Sequence, residues 1–275
     1  TVLRRYLGVL DDRVAICGEV QHGWSVGVAT PMRAAYTEAC PLYVWNARSA
    51  SAAVAQGAIC HVIGAPIVYA QLDVAVRREP GTILAFPQHA TPGYAFLRDR
   101  AFVEEYAAWL GSLRDTNGLI GSTVCLHAHE YENVALRRAC QRYGHKVVTC
   151  GHPWGSGHYL HDLFGFILSA EFVTSNAATT PVMYAALAEK VVFIDGPIAE
   201  RAPPAVLGEQ FYAEASDLAW VATNFPEFTK GLDSQPAPAT GRRELGLDHR
   251  KSPHDLWNTM RLLFDPASTR LAESA

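Results

Sequence analysis

Small, hydroxyl-bearing and histidine side chains follow two successive apolar segments in the second half of the chain. The segment KVVTC runs into a turn that contains His152 and Pro153. The segment EFVTS runs into a turn that opens a helix, and the polar residues of that turn are Ser175, Asn176, Thr179 and Thr180. Helix N termini offer free N–H groups and a positive dipole end, and hydroxyl groups add donors. The two turns together predict a phosphate-binding site, whereas Ser175 or Thr179 taken singly is explained as a helix N-cap.

A His–Gly pair lies near the start of the chain. Glu19, His22 and Gly23 follow the apolar segment VAIC, and the glycine lets the backbone turn sharply. Histidine is the usual general base near neutral pH, and a hydroxyl group that attacks a donor sugar requires a base. We predict that His22 is this base and that Glu19 either competes with it or orients it. A purely structural turn is the alternative.

Two further loops carry groups that could reach a ligand. Gln88 and His89 follow the segment ILAF, and we predict that they contact a nucleotide, with a simple connecting loop as the alternative. The segment CLHAHEYEN combines a cysteine, two histidines and two glutamates. Cys125, His127 and His129 share one face only if a strand continues through them, and no second cluster has zinc-ligand spacing. We therefore predict no metal site and interpret the segment as a strand-end loop that faces a ligand, with Glu130 or Glu132 starting the next helix.

The segments that position these residues alternate between short apolar runs and longer helical patterns. Near-continuous apolar runs are typical of parallel strands covered on both faces, so the alternation predicts a parallel α/β fold. The predicted strands are Val14–Cys17, Leu42–Trp45, Ile59–Ile63, Thr82–Phe86, Thr123–His127, Lys146–Cys150, Glu171–Thr174 and Val191–Ile194. The predicted helices are Arg98–Arg114, Asn133–Tyr143, Tyr159–Ala170, Pro181–Ala188 and Pro253–Phe264.

Turn-forming stretches predict two lobes. The sequence RREPG at Arg77–Gly81 is typical of a linker and precedes a fresh apolar strand, so the boundary is placed near Glu79. This gives a first lobe of residues 1–79 and a second lobe of residues 80–275. The helix Pro253–Phe264 is expected to pack back on the first lobe, and the turn-rich stretch Asp233–Arg243 is expected to be mobile.

Composition narrows the class of protein. The 275 residues are 49% hydrophobic and 18% charged with a net charge of −4, which supports a core and argues against a nucleic-acid-binding surface. No apolar run approaches the roughly 20 residues that span a bilayer. Six scattered cysteines without a CxxC pair are expected to be buried thiols. These features and the lack of a leader pattern predict a cytoplasmic protein, although a chain that begins with Thr leaves a processed start open.

The order of these motifs resembles a known family. HG in the first lobe, HP in the second, and Ser-Asn-x-x-Thr opening a helix are similar to bacterial surface-polysaccharide transferases with the GT-B fold, a group that holds CDP-glycerol glycerophosphotransferases, capsular Kdo transferases and bacterial sialyltransferases. The resemblance covers about residues 14–195. It implies two Rossmann-like lobes, with the acceptor side in the first and a CMP-, CDP- or UDP-linked donor in the second. It also implies that His22 is the base and that His152 contacts the donor phosphate near Ser175 and Asn176.

The chain departs from this family in two places. Asn176 stands where the usual pair has a second hydroxyl residue, and a first lobe of about 80 residues is short for a domain, which could mean altered acceptor binding, a homo-oligomer or a partner subunit. The acidic base of the sialyltransferases has no counterpart except Glu19. We expect a metal-independent glycosyltransferase that uses a nucleotide-activated sugar and a hydroxyl acceptor, without a bound cofactor. Two alternative functions stay open: a sugar-nucleotide 2-epimerase-like isomerase, and a non-catalytic subunit of a polysaccharide assembly complex.

Overall fold

The chain forms two compact units. The computed structural model describes residues 2–9, 14–24, 26, 37, 40–70, 72, 74–88, 100–152, 158–198, 217–260 and 262–264. One unit comprises Thr1–Gln71 together with Arg242–Ala275, and the other comprises Leu72–Gly241. The boundary predicted near Glu79 lies eight residues inside the second unit, and residues 242–275 belong with the first.

The described residues form the following helices and strands. In order they are α1 (Val2–Tyr6), β1 (Val14–Ile16), β2 (Glu19–Val20), β3 (Leu42–Val44), α2 (Ala47–Ala55), β4 (Cys60–Val62), β5 (Glu79–Ala85), α3 (Arg100–Thr116), β6 (Gly121–Cys125), α4 (Ala128–Tyr131), α5 (Val134–Arg142), β7 (Lys146–Val148), α6 (Tyr159–Ser169), β8 (Ala170–Ser175), α7 (Thr180–Leu187), β9 (Val191–Ile194), α8 (Leu218–Asn224), α9 (Pro238–Glu244), α10 (Pro253–Met260) and β10 (Leu262–Phe264). Short 3-10 helices lie at Pro66–Tyr69, Pro226–Phe228, Gly231–Asp233 and Leu247–His249.

The second unit is built on a parallel sheet whose described strands follow the order β7-β6-β5-β8-β9. This is the Rossmann order, in which the connections run outward in opposite directions from the central pair β5 and β8. Helix α3 covers one face because Phe102, Tyr106 and Leu110 recur at helical spacing and pack against Ile83 and Val124. The carboxyl ends of β5 and β8 therefore form the topological switch point where ligands bind in such sheets.

The first unit contains a smaller parallel sheet in the order β2-β3-β4. Leu42 and Val44 of β3 pack against Ala53 of α2, which gives this sheet its own core. The returning C-terminal segment belongs to the same unit, since the Ala65 N–H donates to the Leu245 carbonyl over 2.8 Å. The α/β organisation with two parallel sheets that the sequence predicts is confirmed. No helix in the described ranges is long and apolar enough to cross a membrane.

Four details of secondary structure differ from the prediction. The segment VAIC does not join the parallel sheet, because β1 pairs antiparallel with β10. The predicted helix Pro253–Phe264 ends at Met260, because Leu262–Phe264 forms the strand β10. Arg77–Gly81 is not a linker, because β5 begins at Glu79 and a register shift before Ile83 accommodates a proline that has no N–H to donate. Asp233–Arg243 is not turn throughout, since α9 occupies its second half, and its mobility stays a prediction.

A close backbone contact between Gly241 and Leu187 explains why the second half of that stretch is helical. A Cβ at Gly241 would lie 2.3 Å from the backbone nitrogen of Leu187, so α9 packs directly on the end of α7. These turn-forming residues do not predict a helix by themselves, and tertiary contact with α7 stabilises the helix instead.

Candidate functional site

Hydrogen bonds tie the carboxyl ends of β5 and β8 together at the switch point. The Ser175 hydroxyl donates to the Phe86 carbonyl over 2.6 Å and accepts from the Ala177 N–H over 3.3 Å. The Asn176 amide accepts from the Gln88 N–H over 2.8 Å and donates to the Pro197 carbonyl over 2.9 Å. We call Gln88, Ser175 and Asn176 the switch-point bridge.

The switch-point bridge positions the loops at this edge. All three of its residues are buried. The hydroxyl of Ser175 and the amide of Asn176 are engaged with backbone groups, which gives these side chains a bracing role. The direct phosphate contact foreseen for them stays a prediction, and so does the nucleotide contact of Gln88. Asn176, which stands where the usual pair has a second hydroxyl residue, uses both its amide oxygen and its amide nitrogen in this bridge.

Loss of the bridge is expected to destabilise the second unit. Asn176→Ala would leave the buried N–H of Gln88 without this acceptor and the Pro197 carbonyl without this donor, so we expect a loss of about 2–4 kcal/mol in the free energy of unfolding. Asn176→Asp keeps the acceptor but places an oxygen against the Pro197 carbonyl, and it should not rescue the loss. Urea unfolding measures both.

The matched control for this prediction is Asn117→Ala. The Asn117 amide donates to the Leu113 carbonyl over 2.8 Å on an exposed helix end. Water can replace that bond, so the control should cost well under about 1 kcal/mol. Equal losses in the Asn117 and Asn176 variants would contradict the bracing role.

The N terminus of α7 follows the bridge directly. Thr179 has the extended backbone of an N-cap residue, but its side chain makes no capping hydrogen bond. Among the described residues, the buried Thr179 hydroxyl oxygen has no hydrogen-bond partner. Thr180 and Pro181 form the first turn, and the residues Val182–Ala186 are buried. A helix N terminus beside a hydroxyl group that can still donate a hydrogen bond is suited to bind an anion.

Three imidazole rings converge at the carboxyl ends of β6 and β7. The ring centroids of His127 and His129 lie 5.2 Å apart, those of His127 and His152 lie 5.8 Å apart, and those of His129 and His152 lie 4.4 Å apart. We call these residues the histidine cluster. The predicted strand Thr123–His127 ends at Cys125 and α4 begins at Ala128, which brings His127 and His129 side by side.

A carboxylate faces one ring of this cluster, and two thiols lie two residues before His127 and His152 in the chain. The Glu130 carboxylate is buried, and one of its oxygens lies 3.7 Å from Nδ1 of His127. The sulfur atoms of Cys125 and Cys150 lie 3.7 Å apart in the interior. The hydrogen bond with Cys150 and burial raise the pKa of the Cys125 thiol, and burial raises the pKa of Tyr159 at the start of α6. Cys125 and Tyr159 therefore stay neutral at pH 7, and Glu130 faces His127.

The two turns predicted to form one phosphate site are not neighbours in the sheet. His152 follows β7 and Ser175 follows β8, and β6 and β5 lie between these strands. Three strand spacings of about 4.8 Å separate the strands by roughly 14 Å. The interpretation of adjacent strands is therefore wrong, because consecutive strands of a doubly wound sheet part at the switch point. His89 and Pro153 lie outside the described residues.

The His–Gly turn of the first unit is held by its neighbours. It follows β2, a strand that the sequence analysis missed, and Glu19 lies within that strand. The buried Gln21 accepts from the Trp45 N–H over 3.0 Å and donates to the Gly23 carbonyl over 2.8 Å. His22 is exposed between these anchors.

A buried carboxylate adds a second anchor beside the turn. The Trp24 indole donates to Glu244 over 2.9 Å, and Arg48 pairs with the same carboxylate. Burial lowers the pKa of Arg48, and Glu244 opposes this effect. Glu244 is separated from Trp24 by 220 positions, so no local pattern signals it.

No group of three or more histidine, cysteine, aspartate or glutamate side chains is placed to hold a metal ion in the part of the chain that the structure describes.

No family model and no curated protein matches the chain. Among solved structures, the chain is similar to MnaA from S. aureus in a co-structure with UDP, with 13% sequence identity and a TM-score of 0.41. The similarity covers 74% of this chain and 57% of the MnaA chain, so the match spans little more than half of that protein's length.

Proposed function

We propose that this chain is a glycosyltransferase that moves a sugar or sugar-like group from a nucleotide donor to a hydroxyl acceptor. The observation that carries the proposal is the switch point of the second unit, where the N terminus of α7 follows a braced strand end. In open parallel sheets such positions bind nucleotides, with the phosphates at a helix N terminus.

The donor phosphates are assigned to the carboxyl edge of this sheet. The Thr179 hydroxyl, which has no hydrogen-bond partner among the described residues, supports this assignment, because a buried polar group without a partner has a cost that a bound phosphate oxygen would relieve. His152 follows β7, three strand spacings or roughly 14 Å along the same edge, and can donate from an imidazole nitrogen to a phosphate oxygen of a donor that extends along this edge. These donors would stabilise the negative charge that develops on the departing phosphate.

The acceptor is assigned to the first unit, with His22 as general base. A base must hold a fixed position, and Gln21 and Trp24 anchor the backbone on both sides of this exposed imidazole. The proposed reaction breaks the bond between the sugar and the donor phosphate and forms a bond to the acceptor oxygen. The acceptor proton passes to His22.

Nucleotide binding by the second unit is the first test. CMP, CDP, UDP or GDP at 100 times its dissociation constant should stabilise the folded protein by about 2.7 kcal/mol, measured by thermal shift in EDTA. Thr179→Val and His152→Ala should each weaken the nucleotide that binds by about tenfold or more, because each variant removes a donor to a charged group. Without nucleotide, Thr179→Val should not destabilise the protein, since the hydroxyl that it removes makes no hydrogen bond within the part of the chain that the structure describes.

Two matched variants control this experiment. Thr174→Val also removes a buried hydroxyl without a hydrogen-bond partner among the described residues, but from the interior of β8. His161→Gln removes an exposed histidine on α6. Both should bind nucleotide as the parent does. Equal weakening by Thr174→Val and Thr179→Val would contradict the phosphate site, and conversion of a UDP-sugar without an acceptor would favour an isomerase.

A further inference from the structure

The carboxylate of Asp195 lies at the strand end next to the turn to which the donor phosphates are assigned. Strands β8 and β9 are parallel neighbours with Ser175 opposite Ile194, and the Asp195 N–H donates to the Ser175 carbonyl over 3.0 Å. Asp195 therefore follows β9 directly at the carboxyl edge of the sheet, one strand spacing of about 4.8 Å from the end of β8.

The segment from β8 to β9 is a βαβ unit, in which α7 connects the two strands. In dinucleotide-binding βαβ units the turn after the first strand holds phosphate, and a carboxylate about 20 residues further on accepts hydrogen bonds from the ribose. Here the turn follows Ser175, and Asp195 is 20 positions further along the chain. The unit thus has a carboxylate at the place where such a unit binds the ribose.

The surroundings of Asp195 leave one of its oxygens able to accept from a ligand. The side chain is exposed, and Oδ1 accepts from the Gly196 N–H over 2.7 Å, which orients the carboxylate. Within the part of the chain that the structure describes, Asp195 makes no ion pair and Oδ2 accepts no hydrogen bond. A carboxylate accepts from hydroxyl groups and repels phosphate. A bound nucleotide should therefore place its phosphates toward α7 and its hydroxyl groups toward Asp195.

The loop after Asp195 is held in position by its neighbours. Asn176 donates to the Pro197 carbonyl over 2.9 Å. Gly196 has a φ of 119°, and an added Cβ there would lie 3.0 Å from the Trp109 ring. An acceptor contributes most to specificity when supporting residues fix its position. The switch-point bridge therefore helps to position this carboxylate as well as the turn before α7.

We propose that Asp195 accepts hydrogen bonds from the ribose hydroxyl groups of the bound nucleotide and makes the site selective for ribonucleotides over 2′-deoxyribonucleotides. A 2′-deoxyribose brings one donor fewer to a carboxylate that has given up water to the ligand, and this loss is the source of the selectivity. The inference rests on the proposed function, in which the second unit binds the donor nucleotide. It narrows that donor to one built on a ribonucleotide.

Isothermal titration in EDTA tests the selectivity with matched probes, namely CMP and dCMP, CDP and dCDP, UDP and dUDP, and GDP and dGDP. We expect the ribonucleotide that binds to do so about 10–100-fold more tightly than its 2′-deoxy form, the range for a hydrogen bond to a charged group. Asp195→Asn keeps an oxygen for the Gly196 N–H but turns an amide nitrogen toward the ribose. It should bring the ratio of the two affinities close to unity, and the affinity for the 2′-deoxy form should not fall.

Asp115→Asn is the matched control for this variant. Asp115 is an exposed carboxylate of the same unit that accepts from Arg114 over 2.7 Å. It lies near the end of α3, which leads into β6, and therefore at the amino edge of the sheet, opposite the proposed site. The same loss of charge should leave the ratio of affinities unchanged. Thermal melts without nucleotide establish that both variants are folded.

The outcomes separate this inference from the proposed function. Three results would overturn the role of Asp195 and leave the proposed function standing: equal binding of a ribonucleotide and its 2′-deoxy form, a preference that Asp195→Asn does not change, or equal weakening of both forms by Asp195→Asn. A preference that Asp195→Asn abolishes, in a protein that transfers no sugar, would support the role of Asp195 and overturn the proposed function. Failure of every probe to bind would overturn both.

Discussion

His22→Ala is expected to slow sugar transfer by about 10²–10⁴-fold, the usual contribution of a general base. Nucleotide affinity should stay unchanged, because the proposed phosphate contacts belong to the second unit. The measurement is the transfer rate at saturating donor together with a nucleotide titration. The His22 side chain is exposed, so we expect the variant to fold as the parent does, and a thermal melt checks this point.

Glu19→Gln is the companion variant for this prediction. It should impair transfer less than His22→Ala if the carboxylate orients the imidazole. The reverse order of severity would make Glu19 the base, in the manner of the sialyltransferases. If neither variant affects transfer, the His–Gly turn is structural, and the base is to be sought first at His89 and Glu130.

Gly246→Ala should destabilise the first unit by more than about 3 kcal/mol, because it combines a forced overpacking with a left-handed backbone. Gly246 has a φ of 64°, and a Cβ there would lie 1.8 Å from the carbonyl oxygen of Trp45 and 3.1 Å from Cα of Gly64. Backbone atoms cannot move aside as a flexible side chain would. Urea unfolding followed by tryptophan fluorescence measures the loss, since Trp24 and Trp45 lie in this unit.

Gly57→Ala separates the cost of overpacking from the cost of the left-handed backbone. Gly57 has a φ of 82° at the end of α2, in the same unit, but nothing lies within 4 Å of its added Cβ. It should therefore lose only the roughly 1 kcal/mol of a left-handed position. Similar losses for both variants would mean that the return of the C-terminal segment onto β3 and β4 contributes little to stability.

The sequence by itself determined the class of fold and most element positions. Continuous apolar runs at Leu42–Val44 and Val191–Ile194 and the amphipathic spacing of α3 are local properties, so periodicity and turn residues were enough to find them. The strand β2 was not predicted, because two residues are too few to show a hydrophobic period. The start of β5 at Glu79–Gly81 was not predicted, because Pro and Gly normally indicate a break in a strand. Here a register shift in the pairing with β8 accommodates them.

Only the tertiary structure decided which chemical groups stand together. The order of strands placed His152 beside His127 and His129, although the chain order had suggested a partnership with Ser175. It also turned Ser175 and Asn176 toward backbone groups of neighbouring loops. Strand order depends on pairing between segments tens of residues apart, and a polar side chain takes whichever partner that pairing brings within hydrogen-bond distance. Such pairings leave no period in the sequence, which is why the residue types of the site could be read locally and their grouping could not.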